Sequence, residues 1–571
     1  MSQSKNARAQ AKRHTRKHVS LFGRDLLREP LLNKGAGFTR RERREFGLEG
    51  LLPHGVFDIE AQAVRTHAEI QLNQDNFQKY LALAALQDRN EHLYFYLLRK
   101  HLEEYLPIVY TPTIGMATSM FSRVFQRGRG AWITPEHRGS IAQILRQTGY
   151  GRHIQLVVAT DNQSILGIGD QGAGGIKISI GKLALYTAAA GIDPATTLPV
   201  SLDVGTDNQK LLDDPDYLGW QHPRMRGPEY MDLLDEFVEA VAEVFPGALM
   251  QWEDFRKDNA LDIMDRYADQ VLSFNDDIQG TGAVALSGIL TAERIHGRSL
   301  AEERVLILGA GAAGLGISRQ IRVAMEAGGL TGDDLRHAVA ALDSKGLIVD
   351  DGSARDAYKS EMAWSAERAS ELGLEGGEVG LLELCKAFRP TVLIGTSGQP
   401  GAFSEDVVRE VAAHVDRPLF LPISNPTELS EADPADVYRW TNGRALVAAG
   451  SPFPDVMHDG ERKRIGQGNN AFIFPGVGFG AIEAGARAVT DGMFHAAAEA
   501  LATCVTDEEL ASGLLYPTID RLNEVSRVVA RAVMLCAQEE GVADPLSEDD
   551  IQRRLDERVW TPEYEEYYPG V

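Results

Sequence analysis

The sequence predicts an α/β protein, and three features of the chain lead to this fold class. Short apolar runs typical of buried strands alternate with amphipathic segments of helical period, as at residues 155–161 and 229–245. Several of these runs end in loops of glycine, asparagine or acidic residues. One run, at residues 304–308, leads directly into a glycine-rich turn and a helical segment. Because open α/β sheets bind ligands at the carboxyl ends of their strands, we expect the functional residues in these loops.

The composition limits the class of protein. The chain has 571 residues, of which 44% are hydrophobic and 25% charged, so it can bury several cores and we expect three or four structural units. Its formal net charge of −24 argues against a nucleic-acid-binding protein and favours small-molecule chemistry. No apolar run is long enough to cross a bilayer, which argues against a membrane protein. Cys385, Cys504 and Cys536 are widely spaced, which predicts a reducing compartment and no disulfide framework.

The first 30 residues are basic and contain no apolar segment that would serve as a secretory signal. Six lysines and arginines from Lys5 to Lys17 precede the first acid, Asp25. We predict that residues 1–30 form a disordered tail on a cytoplasmic protein. The alternative is an organelle transit peptide, with the mitochondrial matrix as the location.

Residues 58–106 predict a helical N-terminal region, because leucines recur there at intervals of three and four. Pro107 is expected to end the last helix. Tyr110 follows in a turn that contains proline and glycine. It is either a core tyrosine with a satisfied hydroxyl or a general acid at the edge of a site.

A glycine-dense loop comes next. Residues 155–161 and 165–170 are predicted strands, and the loop at 172–175 precedes a helix. So much glycine indicates that the backbone approaches a ligand there. Lys182, near the start of the helix, is either a surface lysine or a base beside a bound cation. Nearby positive charge and desolvation both lower the pKa of a lysine, which would allow the second role.

Two acid pairs follow later strands. Glu253 and Asp254 end one predicted strand, and Asp276 and Asp277 end the next. Carboxylate oxygens gathered in this way suit Mg²⁺ or Mn²⁺, although solvated loop acids are the alternative. Neighbouring residues of a regular strand point to opposite faces. Both members of the first pair can therefore bind one ion only if the strand has already ended.

The turn after residues 304–308 has the spacing of a Rossmann-type dinucleotide-binding motif. Five of its residues are assigned to cofactor binding: Gly309, Gly311, Ala312, Ala313 and Gly314. Gly309 makes the tight turn, Gly311 lets the backbone meet a pyrophosphate at the helix N-terminus, and Gly314 allows close helix packing.

The next predicted strand ends in Asp343, which can bind the ribose hydroxyls and so favours NAD. Ser344 and Lys345 follow it and can instead hold a 2′-phosphate, so NADP is the alternative cofactor.

Three asparagines lie in later loops. Asn425, Asn469 and Asn470 are neutral amides suited to orienting a carboxylate, and Asn425 also follows a strand at the cofactor side. The alternative is an ordinary turn role, for which asparagine is common. The chain then ends in an aromatic cluster that we expect to dock on the protein: Trp560, Tyr564, Tyr567 and Tyr568.

In this order the motifs resemble those of the malic enzyme family, the metal-dependent oxidative decarboxylases of L-malate. The resemblance extends from about residue 32 to the C-terminus. It rests on NKGAGFTRRERREFGLEGLLP, YTPTIG, ILGIGDQGAGG, QWEDF, FNDDIQGTG, GAGAAG, ISNPTE, GQGNNAFIFPGVG and LYP. It implies conversion of L-malate to pyruvate and CO₂ with reduction of NAD or NADP, dependence on Mn²⁺ or Mg²⁺, and a homodimer or homotetramer.

The resemblance also implies a domain organisation. A Rossmann-type dinucleotide-binding domain is inserted in a second α/β domain, with a helical N-terminal domain before them and a small C-terminal domain after. The predicted ranges are 31–125 for the helical domain, 126–274 plus 455–530 for the substrate and metal domain, 275–454 for the Rossmann domain, and 531–571 for the C-terminal domain.

Residues that match the family motifs take the family roles by resemblance. Glu253, Asp254 and Asp277 match metal ligands, Lys182 the general base, Asp276 a carboxylate that supports it, Tyr110 the general acid, and Asn425 and Asn470 substrate-binding amides. In the implied reaction Lys182 takes the hydroxyl proton of malate as hydride passes to the nicotinamide. Tyr110 returns a proton to C3 after CO₂ has left.

One position departs from the family pattern. Many malic enzymes carry an arginine just before ILG that holds the substrate carboxylate, and this chain has Ser164 there. The following loop reads GGIKISIGK, which brings Lys177 close, so Ser164 and Lys177 are candidate substrate-binding residues. Lys177 or a backbone nest is expected to take part of the missing role. The departure leaves a malolactic enzyme, which forms lactate and CO₂ with bound NAD, as the alternative function. A third reading is a non-catalytic regulator that binds malate and NAD.

A regulatory site is also implied. Gln62, Arg65 and Arg89 match positions at which some family members bind fumarate at a subunit interface. Paired arginines suit a dicarboxylate, and salt bridges on a helix surface are the alternative.

Overall fold

The structure, a computed structural model, divides the chain into two compact units, Met1–Ala117 with Trp560–Val571 and Thr118–Val559. It describes residues 16–165, 167–350, 352, 357–374 and 379–570. Within these ranges no helix has the length and apolar character needed to cross a bilayer. Residues 1–15 of the predicted tail lie outside the described residues. For residues 16–30 the predicted disorder is wrong, because this segment contains a strand and a short helix. Val19 of the strand and Leu26 of the helix are buried in a core.

The first unit is mainly helical. After strand β1 (Arg16–Val19) its helices are α1 (Gly23–Arg28), α2 (Arg40–Glu45), α3 (Ile59–Gln71), α4 (Asn76–Gln87), α5 (Glu91–Lys100), α6 (Leu102–Val109) and the start of α7 (Thr113–Ser119). Asp58, Asp75 and Asn90 accept hydrogen bonds from first-turn N–H groups of α3, α4 and α5, which these helices leave unpaired.

The expected stop at Pro107 is wrong. Helix α6 continues to Val109, and the N–H of Tyr110 bonds to the carbonyl of Leu106. A proline removes one backbone donor, and the buried apolar face of α6 compensates for that single loss.

The second unit begins with a parallel sheet. Its elements in chain order are α8 (Phe121–Val124), β2 (Ala131–Ile133), α9 (Ile141–Gly149), β3 (Leu156–Thr160), α10 (Ile176–Leu185), β4 (Thr197–Leu202), α11 (Gln209–Leu212), α12 (Pro228–Val244), β5 (Leu249–Glu253), α13 (Lys257–Tyr267) and β6 (Ser273–Asn275). The described strands run in the order β2-β4-β3-β5-β6. Every residue of β3, β4 and β5 is buried, as expected for parallel strands covered on both faces.

The predicted strand at residues 165–170 is wrong. Ile165 and Gly169 form an isolated bridge, and Gly167 and Gly169 have φ values of +78° and +69°. Left-handed glycines at alternate positions turn the chain, so the described residues 167–170 form a turn and not an extended strand.

A second sheet follows. The elements in this part of the chain are α14 (Thr281–His296), β7 (Val305–Leu308), α15 (Ala312–Ala327), α16 (Gly332–Ala338), β8 (Val339–Asp343), β9 (Gly346–Leu347), β10 (Val349–Asp350), α17 (Ala357–Ser360), β11 (Trp364–Ser365), α18 (Ala366–Glu371), α19 (Leu381–Phe388), β12 (Val392–Gly395), α20 (Glu405–His414), β13 (Leu419–Pro422), α21 (Pro434–Trp440), β14 (Leu446–Ala449), β15 (Val456–His458), β16 (Glu461–Lys463) and β17 (Gly466–Gln467). Of these strands, β10 pairs with β11 and β15 with β16 in separate two-stranded sheets. The described order is β17-β14-β13-β12-β7-β8-β9, with neighbours parallel except β8 and β9. The carboxyl ends of β7, β8, β12 and β13 therefore share one edge.

After the second sheet the chain returns to the first. The remaining elements are α22 (Phe474–Ala484), α23 (Asp491–Cys504), α24 (Asp507–Ala511), α25 (Leu522–Glu539), α26 (Glu548–Glu557) and β18 (Glu566–Pro569). Helix α22 packs on α25 and contacts β5 of the first sheet. In chain order the second sheet is thus inserted between two segments that pack together, and the predicted α/β fold class is confirmed.

The C-terminal residues belong to the first unit. β18 pairs in parallel with β1, and the Tyr567 ring joins a buried cluster with Phe38. The Nζ of Lys34 lies 3.6 Å from the centroid of the Tyr567 ring. The aromatic tail docks, as its ring content predicts, because burying these rings removes large apolar surfaces from water.

Candidate active site

The amino group of Lys182 lies in a buried cluster of carboxylates in the second unit. Its side chain is 2% exposed. Its Nζ donates a hydrogen bond to Oδ2 of Asp276 and lies 2.9 Å from Oε1 of Glu253. The ring centroid of Phe474, in α22, is 4.6 Å away. Helix α10, the end of β5, the turn after β6 and α22 therefore all converge on one ammonium group.

The backbone at Asp254 brings two adjacent acids to one place. Strand β5 ends at Glu253, and Asp254 is left-handed with φ +60°. The N–H of Asp254 donates to Oδ2 of Asp277 at 2.8 Å. The requirement that the strand end before the second acid is thereby met. Glu253, Asp254 and Asp277 each present an oxygen within 4.8 Å of the others.

This donor set fits a hard divalent cation. Three carboxylates supply only oxygen ligands, which Mg²⁺ and Mn²⁺ prefer. Oδ2 of Asp254 is buried and has no hydrogen-bond partner among the described residues. Because an unpartnered buried anionic oxygen is costly, a cation ligand role accounts for it.

Burial raises the pKa of all three carboxyl groups. It raises the pKa of Glu253 to about 8, against the opposing charge of Lys182 and with reinforcement from Asp277. It raises the pKa of Asp277 to about 6. The pKa of Asp254 is raised well above its usual range by burial and then by the charge of Asp277. Protons would therefore compete with a divalent cation for these carboxyl groups.

The two neighbouring asparagines differ in what they contact. Nδ2 of Asn470 donates to Oδ2 of Asp276 at 3.0 Å and to Oγ1 of Thr281 at 3.0 Å. Oδ1 of Asn469 accepts from the N–H of Ala471, so it caps the turn that follows. Asn470 therefore joins the carboxylate cluster, whereas the side-chain oxygen of Asn469 is used in a turn.

Two residues that were not predicted from the sequence support Glu253. Nε2 of Gln251 donates to Oε2 of Glu253 at 2.8 Å, and Oε1 of Gln251 accepts from the hydroxyl of Tyr186 at 2.6 Å. The alternation of a strand is a signal for Gln251, which lies two residues before Glu253 on the same face of β5. The sequence contains no comparable signal for Tyr186, which lies 65 residues before Gln251 in the chain.

The loop that carries Ser164 is attached to the same cluster. The N–H of Ser164 donates to the carbonyl of Asp254 at 2.8 Å. Arg224 is buried and bonds to both ends of the loop, with 2.8 Å to the carbonyl of Asp161 and 2.9 Å to Oδ2 of Asp170. Arg224 was also missed, because 54 residues separate it from Asp170 and no motif marks it.

Lys177 lies in the first turn of α10, half-buried, with its Nζ 6.0 Å from the centroid of the Phe121 ring. It precedes Lys182 by five residues on the same helix.

The glycine motif forms the turn between β7 and α15. Gly309 has φ +119°, and a Cβ there would lie 2.6 Å from Oγ1 of Thr396. A Cβ at Gly314 would lie 1.9 Å from the carbonyl oxygen of Gly309. By contrast, no described heavy atom lies within 4 Å of a Cβ built on Gly311. Protein packing therefore requires glycine at positions 309 and 314. The space beside Gly311 is free for a ligand at the start of α15.

The predicted ribose contact has an unpredicted partner. Asp343, at the end of β8, lies 2.7 Å from Nζ of Lys359, and its Oδ1 accepts from the N–H of Lys345 at 2.7 Å. Farther along the same sheet edge, the hydroxyl of Ser451 donates to Oδ1 of Asn425 at 2.5 Å. Lys359 follows a segment with no hydrophobic periodicity and no known motif, so the sequence offered no reason to select it.

Tyr110 and the predicted effector residues belong to the first unit. Tyr110 follows α6 directly. Gln62 is buried, and its Nε2 donates to the carbonyl of Phe57 at 3.1 Å. Arg65 and Arg89 are exposed, and the Arg65 guanidinium lies 5.5 Å from the centroid of the Phe57 ring.

A second group of metal-type side chains lies in the first unit, at His67, His101 and Glu104. The two imidazole rings are stacked with centroids 3.9 Å apart and planes 6° from parallel. Ring nitrogen lone pairs lie in the ring planes, so these two do not converge on one point. The carboxylate cluster at Lys182 is therefore the better metal site.

Family models match most of this chain. The model described as "Malic enzyme, N-terminal domain" matches residues 87–268, and that described as "Malic enzyme, NAD binding domain" matches residues 278–538. The chain is 44% identical over 550 residues to the "NAD-dependent malic enzyme" of Sodalis glossinidius, covering 96% of this chain and 97% of the relative. It is 45% identical over 554 residues to the protein of the same name from Pseudomonas aeruginosa, covering 96% and 98%.

Solved structures share the fold. The crystal structure of Entamoeba histolytica malic enzyme matches with a TM-score of 0.57 at 21% identity and covers 90% of each chain. That of the malic enzyme from Pyrococcus horikoshii matches with a TM-score of 0.52 at 23% identity, covering 80% of this chain and 89% of the other.

Proposed function

The chain belongs to the malic enzyme family, and we propose that it catalyses the NAD-dependent oxidative decarboxylation of L-malate to pyruvate and CO₂. The observation that carries this proposal is the position of Lys182, whose Nζ bonds Asp276 and lies 2.9 Å from Glu253. A buried amine held against carboxylates that can bind a metal suits the removal of a proton from a 2-hydroxy acid.

In the proposed reaction Lys182 accepts the proton of the C2 hydroxyl of malate while C2 gives up a hydride. Asp276 orients the amine through its hydrogen bond, and Asn470 in turn holds Asp276. Bound NAD⁺ supplies the hydride acceptor. The resulting 3-keto acid loses CO₂, and Tyr110 donates a proton to C3 to give pyruvate.

Glu253, Asp254 and Asp277 would hold a divalent cation, Mn²⁺ or Mg²⁺. When bound, this ion supplies Lewis-acid stabilisation of negative charge on the substrate oxygens. Gln251 keeps Glu253 in place by donating to Oε2, which leaves Oε1 for the site.

Ser164 and Lys177 are proposed to contribute to malate binding. The N–H of Ser164 bonds to the carbonyl of Asp254, so the loop lies against a proposed metal ligand. Lys177 adds a cation to the first turn of α10, whose last turn carries Lys182. A carboxylate of malate could then be held without the arginine that Ser164 replaces. Asn425, Asn469 and Asn470 remain proposed amide contacts.

For the cofactor we propose that the pyrophosphate binds beside Gly311, in the turn that Gly309 and Gly314 shape, with Ala312 and Ala313 at the start of α15. Asp343 is proposed to bind the ribose hydroxyls. NADP is the weaker choice, since the relatives are named for NAD.

The test is to mix protein, L-malate, NAD⁺ and Mn²⁺ and to follow NADH absorbance together with pyruvate and lactate. NADH and pyruvate in equal amounts are expected. Lactate without NADH would replace this proposal with the malolactic reaction. Binding of malate with no turnover under either cofactor would instead indicate a regulator.

We further propose that the protein acts in the cytoplasm, because relatives are bacterial and the described cysteines are free thiols. From the family resemblance we also propose a homodimer or homotetramer. The mitochondrial alternative has no support. Fumarate is proposed as an effector at Gln62, Arg65 and Arg89. Sedimentation of the purified protein tests the oligomeric state, and assays with added fumarate test the effector. A rate of malate oxidation that fumarate leaves unchanged would rule out the effector role.

A further inference from the structure

A buried glutamate lies beneath two loops at the cofactor edge of the second sheet. Glu431 is fully buried and lies two residues after the short turn Thr427–Leu429. Its Oε1 accepts hydrogen bonds from the N–H of Ser397 at 2.7 Å and the N–H of Gly398 at 3.1 Å. The same oxygen accepts from the hydroxyl of Ser397 at 2.9 Å and from that of Ser424 at 2.6 Å. Four donors thus converge on one carboxylate oxygen.

These donors come from the loops that follow neighbouring strands. Ser397 and Gly398 follow β12, and Ser424 follows β13. Ser424 also accepts from the N–H of Gly398 at 2.9 Å, so the two loops touch each other as well as Glu431. Gly398 has a left-handed backbone conformation with φ +63°. Because glycine loses much conformational freedom on folding, the loop needs hydrogen bonds to hold this conformation.

The first of these loops reaches the glycine motif. The hydroxyl of Thr396 donates to the carbonyl oxygen of Gly309 at 3.0 Å, and its N–H donates to the carbonyl of Leu308 at 2.8 Å. Movement of this loop would therefore displace the turn proposed to receive the pyrophosphate. The second loop continues into Asn425, another proposed cofactor and substrate contact.

The other oxygen of Glu431 explains why the residue is unusual. Oε2 is buried with no hydrogen-bond partner among the described residues, and a Cβ on Gly395 would lie 2.5 Å from it. An apolar side chain of similar size would avoid this unsatisfied oxygen. It would leave three of the four donors without their acceptor among the described residues, since only the N–H of Gly398 also bonds to Ser424. The carboxylate is therefore best explained by what Oε1 does for the loops.

We propose that Glu431 is a positioning residue for the nicotinamide cofactor, because it locks the loops after β12 and β13 in the form that binds NAD. Hydrogen bonds to an ionised acceptor are stronger than neutral ones, so one carboxylate can hold both loops. The proposal rests on the proposed NAD-dependent function.

The test compares Glu431→Ala and Glu431→Gln with Glu428→Ala, an exposed glutamate in the same connection. Because four bonds are lost, Glu431→Ala is expected to raise the KM for NAD⁺ and the Kd of NAD⁺ by about 10- to 100-fold. Glu431→Gln keeps an acceptor oxygen and is expected to raise both by only about 3- to 10-fold. Glu428→Ala should match the wild type, and in both Glu431 variants the KM for malate should rise by a smaller factor than the KM for NAD⁺.

A coupling measurement separates positioning from general loss of stability. Ser424→Ala removes one donor, so its effect on NAD⁺ affinity and that of Glu431→Gln should be strongly non-additive. Additive effects would overturn the proposal, as would wild-type affinity for NAD⁺ in Glu431→Gln and Glu431→Ala. Equal losses of thermal stability, malate binding and NAD⁺ binding would also overturn it, because they indicate a merely structural residue. If Glu431→Ala does not fold, Glu431→Gln and Ser424→Ala decide the question. Failure of the wild type and Glu428→Ala to reduce NAD⁺ would count against the proposed function instead.

Discussion

Nζ of Lys182 lies 2.9 Å from Oε1 of Glu253, so the proposed base directly contacts a proposed metal ligand. The family resemblance separated these roles and paired Lys182 with Asp276 alone. In the structure the ammonium bridges both carboxylates. A cation bound by Glu253 would lie close to this amine and would favour its neutral form, which is the form that accepts a proton.

Replacement of Lys182 by alanine is the most direct test of the base. The kcat for malate oxidation is expected to fall by about 10²- to 10⁴-fold, the usual contribution of a general base. The dissociation constant for Mn²⁺ should not rise, because the substitution removes a positive charge beside the carboxylates. Steady-state NADH formation and calorimetric Mn²⁺ titration measure the two effects. Lys210→Ala, at an exposed lysine, is the control. Weaker Mn²⁺ binding in Lys182→Ala would indicate that the site has collapsed.

Binding of Mn²⁺ should depend on pH. Burial raises the pKa of Glu253 to about 8 and that of Asp277 to about 6, so protons compete with the ion over this interval. The dissociation constant for Mn²⁺ is therefore expected to fall as the pH rises from 6 to 8, by up to about tenfold per pH unit for each proton displaced. Titration calorimetry in buffers of different ionisation enthalpy also counts the released protons. Glu253→Gln should bind more weakly and with a flatter dependence between pH 7 and 8. A constant affinity across the interval contradicts the prediction.

Lys177→Ala tests whether Lys177 binds a carboxylate of malate in place of the family arginine, where this chain has Ser164. If Lys177 holds a carboxylate of malate, the KM for malate should rise about tenfold or more, as for loss of a charge-assisted hydrogen bond. The KM for NAD⁺ should change little. Lys210→Ala again serves as the control, and initial rates over a range of malate concentrations provide the measurement. An unchanged KM for malate would show that Lys177 has no part in binding it.

His92 should make the first unit sensitive to acid. Burial, with smaller effects of Lys17 and Lys34, lowers the pKa of His92 from 6.5 to about 3. The unfolded state then binds more protons than the folded state between these values, so stability is lost as the pH falls below about 6.5. At pH 5 the loss is about 2 kcal/mol for this one group.

Hydrogen exchange of the α5 amides at pH 7 and pH 5, corrected for the intrinsic rate, measures this loss. His92 packs on Trp560, with ring centroids 5.2 Å apart, so His92→Phe keeps an aromatic ring while removing the titration. The loss on acidification should shrink by about 2 kcal/mol in His92→Phe and remain in His54→Phe, at an exposed histidine. Equal losses in both variants would rule out His92 as the cause.

Local patterns carried the sequence-based predictions that the structure bears out. Strands β3 and β7 were predicted to within one residue at each end, because short apolar runs bounded by turn residues have few other interpretations. Gly309 and Gly314 were identifiable because a glycine motif between strand and helix has strict spacing, and the structure leaves no room for a Cβ at either. Where local signals conflicted, as at Pro107 and at residues 165–170, the predicted boundaries were wrong.

By itself the sequence determined the fold class, the family and the residue types available for chemistry, because strand runs, motif spacing and adjacent acids are properties of neighbouring residues. Only the tertiary structure decided that Lys182 touches Glu253 as well as Asp276, that Tyr186 and Arg224 support the site, and that Glu431 joins two loops. These contacts connect residues that are far apart along the chain or on different loops. Their existence depends on burial and on three-dimensional distance, neither of which leaves a periodic trace in the sequence.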